Sequence, residues 1–600
     1  MPSEYENIQR LYSDLKTVWE QKKPDWEDIA QFVGIGVDID YIAHHGKSSN
    51  VARDTDEFID DPTAAISVNQ AGDYLMGIMW GTGEDVFQIE PSRYVTELVD
   101  EALVKDWYDY ATDQALYHMN HPQAGFSTSL RPYVYDQMSF GTSGIGVFKN
   151  KAFEEFIDDN ALIFRPYGVD NTMIEEGKSG QPEIVAAVYN WKVNRIVAEF
   201  CRTGGEVDDK KLEKLPEPIK KAWEAKDFNE TFQIVFMAFP REDFDPKLKG
   251  KRGARYRGVW FMDDNSHNKI FFEEDFVERP IAVARAIKVR GETYGRASGT
   301  MLISTIRSVN FMVGTAIEIV EKMSNPSLGM FNNAIFGDSV LDTSPNGLTI
   351  FNSTLAMASK GNPAFPLYDV GDPSALLEFL VPYLNEKITT AFKVDALLDF
   401  SSAKEMTATE SLQRYAIRGK SLAGFLLQQK NEQLVPTSKR AISMLMSMGE
   451  LGVLPTDEKA NKLKKRLPER IIPEAVVEVI KSGRPWYELK FNNELEKLVR
   501  TEAIQNLMQV IQAITAVAAL YPEIIYAVNW YKLLKEINDN LDIGAQIMLS
   551  EDDFRDEVKK AAEARAQAQQ AQMAQAMGGA AKDMAQAEKS QKEAANVGRE

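Results

Sequence analysis

The side chains that could do chemistry are few and scattered. His118-Met119-Asn120-His121 places two imidazoles three residues apart, and His44-His45 are neighbours. Such a pair could begin a zinc site, but catalytic zinc needs three protein ligands at defined spacing, often with a glutamate base. No H-E-x-x-H occurs. Asp60-Asp61, Asp158-Asp159 and Asp263-Asp264 could each supply part of a two-metal centre, which also needs a second ligand cluster. With 89 acidic residues in the chain, such pairs arise by chance and read as solvated surface. Gly141, Gly144 and Gly146 could cradle a phosphate, but their order differs from a dinucleotide fingerprint and no Lys-Ser/Thr follows. They read instead as a tight turn into a strand. No Walker A sequence occurs, and the single cysteine, Cys201, reads as a small buried apolar residue in a reducing compartment. The expectation is a chain without catalytic residues, metal or cofactor, and without intrinsic ATPase or nuclease activity.

The elements around these residues are more informative. A length of 600 residues suggests roughly four structural units. The 44% hydrophobic and 10% aromatic content describes a globular chain. A formal net charge of −21 argues against tight nucleic-acid binding, because phosphate contacts rest on Lys and Arg. It is compatible with passing contact, since an acidic lining repels a phosphate backbone. Met1 to Arg10 is polar, so no signal peptide is expected. The most apolar window, Ile504 to Tyr521, is interrupted by Gln505, Asn506, Gln509 and Gln512; it reads as a packed helix, and no membrane span is expected.

Ile8, Leu11, Tyr12, Leu15, Val18 and Trp19 have helical spacing, and Pro24 is expected to start a second helix carrying Trp26, Ile29 and Ala30. Asp61-Pro62 opens a third. Val86 to Ile89 reads as a strand stopped by Pro91, and Glu97 to Asn120 as a helix. Thr231 to Phe239, Tyr256 to Met262, Lys269 to Phe272 and Ile281 to Val289 have strand composition, so the first half is α+β. Thr407-Ala408-Thr409-Glu410 fits a capping box, starting a helix that Pro436 ends or kinks. Another helix spans Lys439 to Leu451. Glu494 to Leu549 reads as helix broken at Pro522, and Phe554 to Glu600 as an Ala/Gln-rich tail with no core of its own.

Two long apolar helices stand at the centre. From Gly299 to Asn325, Leu302, Ile306, Val309, Val313, Ala316, Val320 and Met323 recur at alternating spacings of four and three, a heptad seam. Ile303, Met312, Ile317 and Ile319 widen the apolar surface, so contact on several sides is expected. The second helix, Pro373 to Phe392, carries Leu377, Leu380, Leu384, Ile388 and Ala391, with Pro382 inside it as a point where it could split. A Gly/Pro/Asn-rich segment separates the two, giving a stem with a head.

Several segments resemble the head-to-tail connector, or portal, proteins of short-tailed bacteriophages. They are Trp26-Glu27-Asp28-Ile29-Ala30; Asp61-Pro62-Thr63-Ala64-Ala65 through Val86-Phe87-Gln88-Ile89-Glu90-Pro91; Phe140-Gly141-Thr142; Glu278-Arg279-Pro280 followed by Gly291-Glu292-Thr293-Tyr294-Gly295-Arg296; and Met406-Thr407-Ala408-Thr409-Glu410. Their order extends from about residue 10 to 570, and the Ala/Gln-rich tail is also similar. The resemblance implies a mainly α subunit with an α+β wing, assembled as a ring, typically a dodecamer, at one capsid vertex of the virion and formed in the host cytoplasm. Residues 1–298 and 407–495 would be wing, 299–324 and 373–392 the stem helices, 325–372 the clip, 393–406 the tunnel loop, 496–553 the crown and 554–600 a helical barrel or tail. Ring contacts would use Leu302, Ile306, Val309, Val313 and Val320. Glu378, Glu386, Asp395 and Asp399 would line the channel and repel double-stranded DNA, with Lys387, Lys393 and Lys404 as sparse guiding positives. Implied partners are the terminase motor, tail adaptors, capsid and scaffolding proteins. A cytosolic helical scaffold, or a nuclease or hydrolase with a helical accessory domain, is the alternative; particle mass and a visible central hole separate the three.

Overall fold

Tyr5, Ile8, Tyr12, Leu15, Trp19, Trp26 and Ile29 form one buried stripe along a single helix, α1 (Glu4–Phe32). The two helices expected on either side of Pro24 are therefore one. Proline removes one amide donor from the ladder, and Trp19 and Trp26, packed 6.2 Å apart across that turn, hold the helix through it. The structure is a computed structural model describing most of residues 4–392 and 424–491, apart from stretches of which 40–58 and 331–363 are the longest. Beyond residue 491 it describes isolated helical residues, the longest run being 582–587. The chain divides into two units, Met1–Leu495 and Glu496–Glu600; the elements below belong to the first. The Thr407 capping box, the expected tunnel loop and nearly all of the expected helices from 494 to 549 lie outside the described residues.

After α1 come α2 (Thr63–Met79), β1 (Phe87–Pro91), α3 (Arg93–Thr96), α4 (Glu101–Asn120), α5 (Phe126–Ser139), β2 (Thr142–Lys149), α6 (Lys151–Glu154), β3 (Leu162–Tyr167), β4 (Thr172–Glu176) and β5 (Pro182–Lys192). Then follow α7 (Val193–Phe200), the hairpin β6 (Arg202–Thr203) and β7 (Glu206–Val207), α8 (Asp209–Leu212), α9 (Glu217–Glu224), β8 (Thr231–Pro240), β9 (Tyr256–Met262), β10 (Ile270–Phe276) and β11 (Ile281–Arg285). The central helix α10 (Ser298–Ser324) leads to β12 (Leu328–Met330), and the chain returns through β13 (Ala364–Pro366) to α11 (Val381–Ala391). Last are α12 (Val435–Met448), α13 (Glu474–Lys481) and β14 (Tyr487–Phe491).

The four strands expected from composition are β8 to β11. β3, β4 and β14 were not expected, and β5 lay in a region read only as mixed; Pro166 and Pro182 break the local strand pattern in β3 and β5. Pro91 is the last residue of β1 rather than its stop, because β1 pairs antiparallel with β14, Phe87 opposite Phe491. The helix expected from Glu97 begins at Glu101; Glu97 itself follows the single turn α3. The larger sheet has the order β10-β9-β8-β5-β4, the smaller one β11-β2-β3, both antiparallel.

Both expected helix-breaking prolines sit just after a π turn. Leu376–Leu380 is a π turn leading into α11, with Pro382 in the first turn of that helix. Residues 424–429 are helical, Lys430–Leu434 is a second π turn, and α12 follows with Pro436 in its first turn. A proline ring clashes with the carbonyl four residues back, and widening the turn relieves that clash. Pro382 and Pro436 therefore do not split these helices.

The glycine cluster is structural. Gly141 has φ of +84°, and a Cβ there would lie 2.6 Å from the carbonyl carbon of Arg296. A Cβ at Gly144 would lie 2.6 Å from the carbonyl oxygen of Ala282, where β2 meets β11. Both obstacles are backbone and cannot step aside. Gly141→Ala is expected to destabilise the first unit by about 2 kcal/mol or more, read as a lower urea midpoint at unchanged slope.

Candidate functional site

The central helix α10 buries one side in its own subunit. Ile306, Val309 and Ala316 are buried, and Leu302, Ile303, Met312 and Val313 pack against the same core. Apolar surface is bare in two places: Phe311 and Met301 lie off that side, and Ile317, Val320 and Met323 continue it toward the far end of the helix. Phe311 is 74% exposed, and Met301, Ile317, Val320 and Met323 are about half exposed. The return strand of helix adds Leu377, Phe379, Leu380 and Tyr383, also exposed. At 27 residues α10 spans about 40 Å, and by length and composition it is apolar enough to cross a bilayer. Arg307, Glu318, Glu321 and Lys322 lie along it, with Arg307 paired to Asp28 and Lys322 to Glu318 at 3.5 Å. Charges in mid-span are costly in lipid, so the bare apolar surface suits protein cover better.

α10 and α11 are joined at both ends. At the base, the Ser298 hydroxyl donates to the Ala391 carbonyl at 2.9 Å. At the far end, β12 pairs antiparallel with β13, Leu328 opposite Pro366.

The start of α10 is fixed by segments far apart in sequence. The Trp26 ring meets Tyr294 edge-on at 4.9 Å. The Gly295 amide donates to the Thr142 hydroxyl at 2.9 Å, and Gly295 also lies against the Gly141 carbonyl. Glu292 takes an ion pair from Lys22 at 3.5 Å and another from Arg296. A Cβ at Gly299 would lie 2.7 Å from the Ser139 carbonyl, so the helix begins in close contact with the end of α5. The Asn310 side chain accepts from the amides of Asp60 and Asp61 at 2.7 and 3.2 Å, tying α10 to the entry of α2.

Behind this lies a buried charge node. Arg285, at the end of β11, is fully buried. Its guanidinium meets the Glu432 carboxylate through Nε, at 3.3 Å, and Nη2; it also reaches Glu176 and, at 2.7 Å, the Gly180 carbonyl. Glu432 accepts from the Arg285 amide at 3.0 Å as well. The Gln429 side chain donates to the Arg285 carbonyl at 3.0 Å and accepts from the Tyr133 hydroxyl. The Gln433 amide group donates to the Ala282 carbonyl at 2.8 Å and accepts from Ile145 N–H and the Thr437 hydroxyl. The second π turn thus presents polar side chains to the backbone of β11, an edge strand, and covers its open edge. Burial, then the Glu432 charge, pushes the Tyr133 hydroxyl well above its usual range.

The residues first considered for chemistry have separate duties. His118 is buried and accepts from the Ala161 amide at 3.4 Å, with Nε2 3.7 Å from Glu450. His121 accepts from the Gln123 amide at a short turn. Asp61 caps α2 by accepting from the Thr63 amide at 3.0 Å. Asp158 accepts from Asn150, and Asp263 accepts from Tyr12 at 3.0 Å and pairs with Lys16. Cys201 is buried, which pushes its thiol up to about 11. Among the described residues no three His, Cys, Asp or Glu side chains gather as a metal site. His44, His45 and Asp264 lie outside the described residues.

Residues 5–548 match the family described as bacteriophage head to tail connecting protein. The chain belongs to that family. No curated protein matches it. Among solved structures it is similar to a chain of the virion of a native gene transfer agent particle, at 11% identity and a TM-score of 0.31, covering 80% of this chain and 91% of that one.

As a connector, the protein is a structural component of the virion, assembled with capsid and tail parts. Of the channel residues expected in this connector, Glu378, Glu386 and Lys387 are exposed on the return helix, with the Lys387 ammonium 5.2 Å over the Tyr383 ring. Lys393, Asp395, Asp399 and Lys404 lie outside the described residues. Of the expected ring contacts, Ile306 and Val309 are buried within the connector subunit itself, Leu302 and Val313 are partly buried against its core, and Val320 is exposed. Phe311, the most exposed apolar residue of α10, was missed because it falls off the heptad seam; its size on an otherwise polar line of the helix was the available signal. The Arg285–Glu432 node was also missed, since nothing local in either segment shows that its charge is buried.

Proposed function

We propose that this connector closes into a ring, dodecameric as in the family it resembles, at one capsid vertex, and that the ring is the channel for double-stranded DNA during packaging and ejection. The observation that carries this reading is the exposed apolar surface of α10 and of the return helix, Phe311, Ile317, Val320, Met323, Phe379 and Tyr383. Copies of the same subunit supply apolar cover for such a surface, and a closed ring gives every copy the same cover. In this reading α10 and α11 are the stem, 325–372 the clip that docks tail adaptors and the terminase motor, and 393–406 the tunnel loop. Residues 1–298 and 407–495 are the wing facing capsid and scaffolding proteins, 496–553 the crown, and 554–600 a barrel or tail. Glu378, Glu386, Asp395 and Asp399 repel the DNA backbone, and Lys387, Lys393 and Lys404 guide it. The chain supplies no catalysis; energy for packaging comes from the motor, and assembly takes place in the host cytoplasm.

The test is particle mass with negative-stain imaging of the purified chain. A species of several hundred kilodaltons with a central hole is expected, and a species at the 67.5 kDa of one chain would overturn the reading. The tunnel loop has its own test. Removing Leu398 to Ala403 is expected to spare folding and ring size but to shorten or release packaged DNA, because loop tips carry few stabilising contacts while a constriction acts on whatever passes. Full-length genomes retained at wild-type yield would show that the loop constricts nothing.

A further inference from the structure

A cavity of about 620 Å³ lies between the larger sheet, the end of β2 and α12. Its wall is aromatic. Trp191 and Trp260 pack 5.7 Å apart, and Phe200 meets Trp260 edge-on at 5.1 Å. We propose that this cavity binds a carboxylate carried on an aromatic or branched apolar body, with Arg440 receiving the carboxylate and the Trp191–Trp260 wall receiving the apolar part.

Arg440 is the reason for naming a carboxylate. It lines the cavity from α12 and is only 8% exposed. Its guanidinium lies over the Phe276 ring at 4.9 Å and, among the described residues, makes no ion pair and leaves its Nε without a hydrogen-bond partner. The contrast with Arg285 in the same unit is direct, since that buried guanidinium is held by two carboxylates and a carbonyl. Leaving a buried charge unpaired is costly, and a planar carboxylate matches the guanidinium fork. Burial draws Arg440 down to about 10, against the pull of Glu274 and Glu278, so it keeps its charge at neutral pH.

The surroundings point the same way. Arg165 is a second guanidinium on the wall, 5.5 Å over the Phe148 ring and without a carboxylate partner among the described residues. Two of the acids around the cavity are already matched, Glu199 by Lys151 at 3.2 Å and Asp275 by Arg241. Burial is the largest influence on the third, Glu274, and pushes its carboxyl upward. A bare phosphate would meet mostly rings, and a cation would meet two guanidiniums. An apolar carboxylate satisfies both the walls and the charge, in a volume usual for ligand cavities.

The same chemistry can come from a small organic acid or from the C-terminal residue of a peptide. Titration of the full chain with 3-phenylpropionate, with N-acetyl-Leu-Phe bearing a free carboxyl terminus, and with the amide of each separates them, read by tryptophan fluorescence and calorimetry. Saturable binding of the acids is expected, with the amides about tenfold weaker or worse. Arg440→Met is expected to weaken the acids to the level of the amides while leaving the amides unchanged. Ser443→Phe, which narrows the cavity without touching the charge, should weaken acid and amide together. Should Arg440→Met fail to fold, Arg440→Lys replaces it, and a loss of acid binding is again expected because the fork is gone. Tighter binding of the peptide assigns the site to a chain terminus, and tighter binding of the free acid to a small molecule. No saturation by either acid at millimolar concentration, or equal binding of acid and amide, would overturn the proposal.

Discussion

Glu432→Ala is expected to destabilise the first unit by about 3–5 kcal/mol, the cost of leaving a buried charge without its partner. Arg285 is fully buried, and it would keep only Glu176, through Nη1, and the Gly180 carbonyl, through Nη2. The loss extends beyond the ion pair. Glu432 also accepts from the Arg285 amide, so the edge of β11 loses a backbone partner, a further penalty of about 1–3 kcal/mol for an orphaned buried donor. The double variant Arg285→Met, Glu432→Leu should recover much of the loss, because replacing both members of a buried pair by apolar groups is often close to neutral. Recovery stays incomplete because the β11 amide remains unpaired. Urea unfolding of the three variants checks this, and a Glu432→Ala protein within about 1 kcal/mol of the parent would show that the node contributes little.

The second large effect separates assembly from folding on the same helix. Phe311→Asp with Val320→Asp is expected to abolish the ring while leaving a folded single chain. Both residues are exposed in the subunit, so aspartate there meets water until a neighbour arrives. In a ring every subunit would then bury two uncompensated carboxylates, at several kcal/mol per site. Val309→Asp should act differently. Val309 is 1% exposed and packed in the subunit's own core, so a carboxylate there unfolds the first unit before assembly is at issue. Size-exclusion mass with circular dichroism distinguishes the two. Intact rings from the Phe311/Val320 variant would remove both positions from the interface.

The heptad spacing of α10 was legible in sequence, but not the owner of each side. Spacing reports which residues avoid water and says nothing about whether the cover is the same chain or another, so Ile306 and Val309 could be read as ring contacts when they belong to the subunit core. Strands rich in aromatic and β-branched residues, β8 to β11, could be placed closely. β3 and β5, with a proline, and β4 and β14, rich in charge, could not, because their sheet neighbours make them strands. The segments around Trp26, Thr142 and Tyr294 could be recognised as motifs, yet their convergence on the start of α10 depends on contacts more than 100 residues apart. The expected channel charges divide similarly: those on the return helix can be placed on an exposed face, and those after Phe392 rest on sequence alone.

The two π turns have a consequence for angular phase. Each residue of an α-helix advances the side-chain direction by about 100°, so one surplus residue rotates everything downstream by that amount. A wheel drawn straight through Pro373 to Phe392 therefore misassigns faces on one side of Leu380. The surplus cannot drift toward the C-terminus, since the ring of Pro382 or Pro436 blocks regular closure of the turn before it. These prolines act as stops that lock a one-residue insertion in place. Deleting a single residue from Leu376–Leu380 would set the proline ring against the carbonyl four residues back, and it would swing the downstream helix out of phase with Ser298, which now meets it at Ala391.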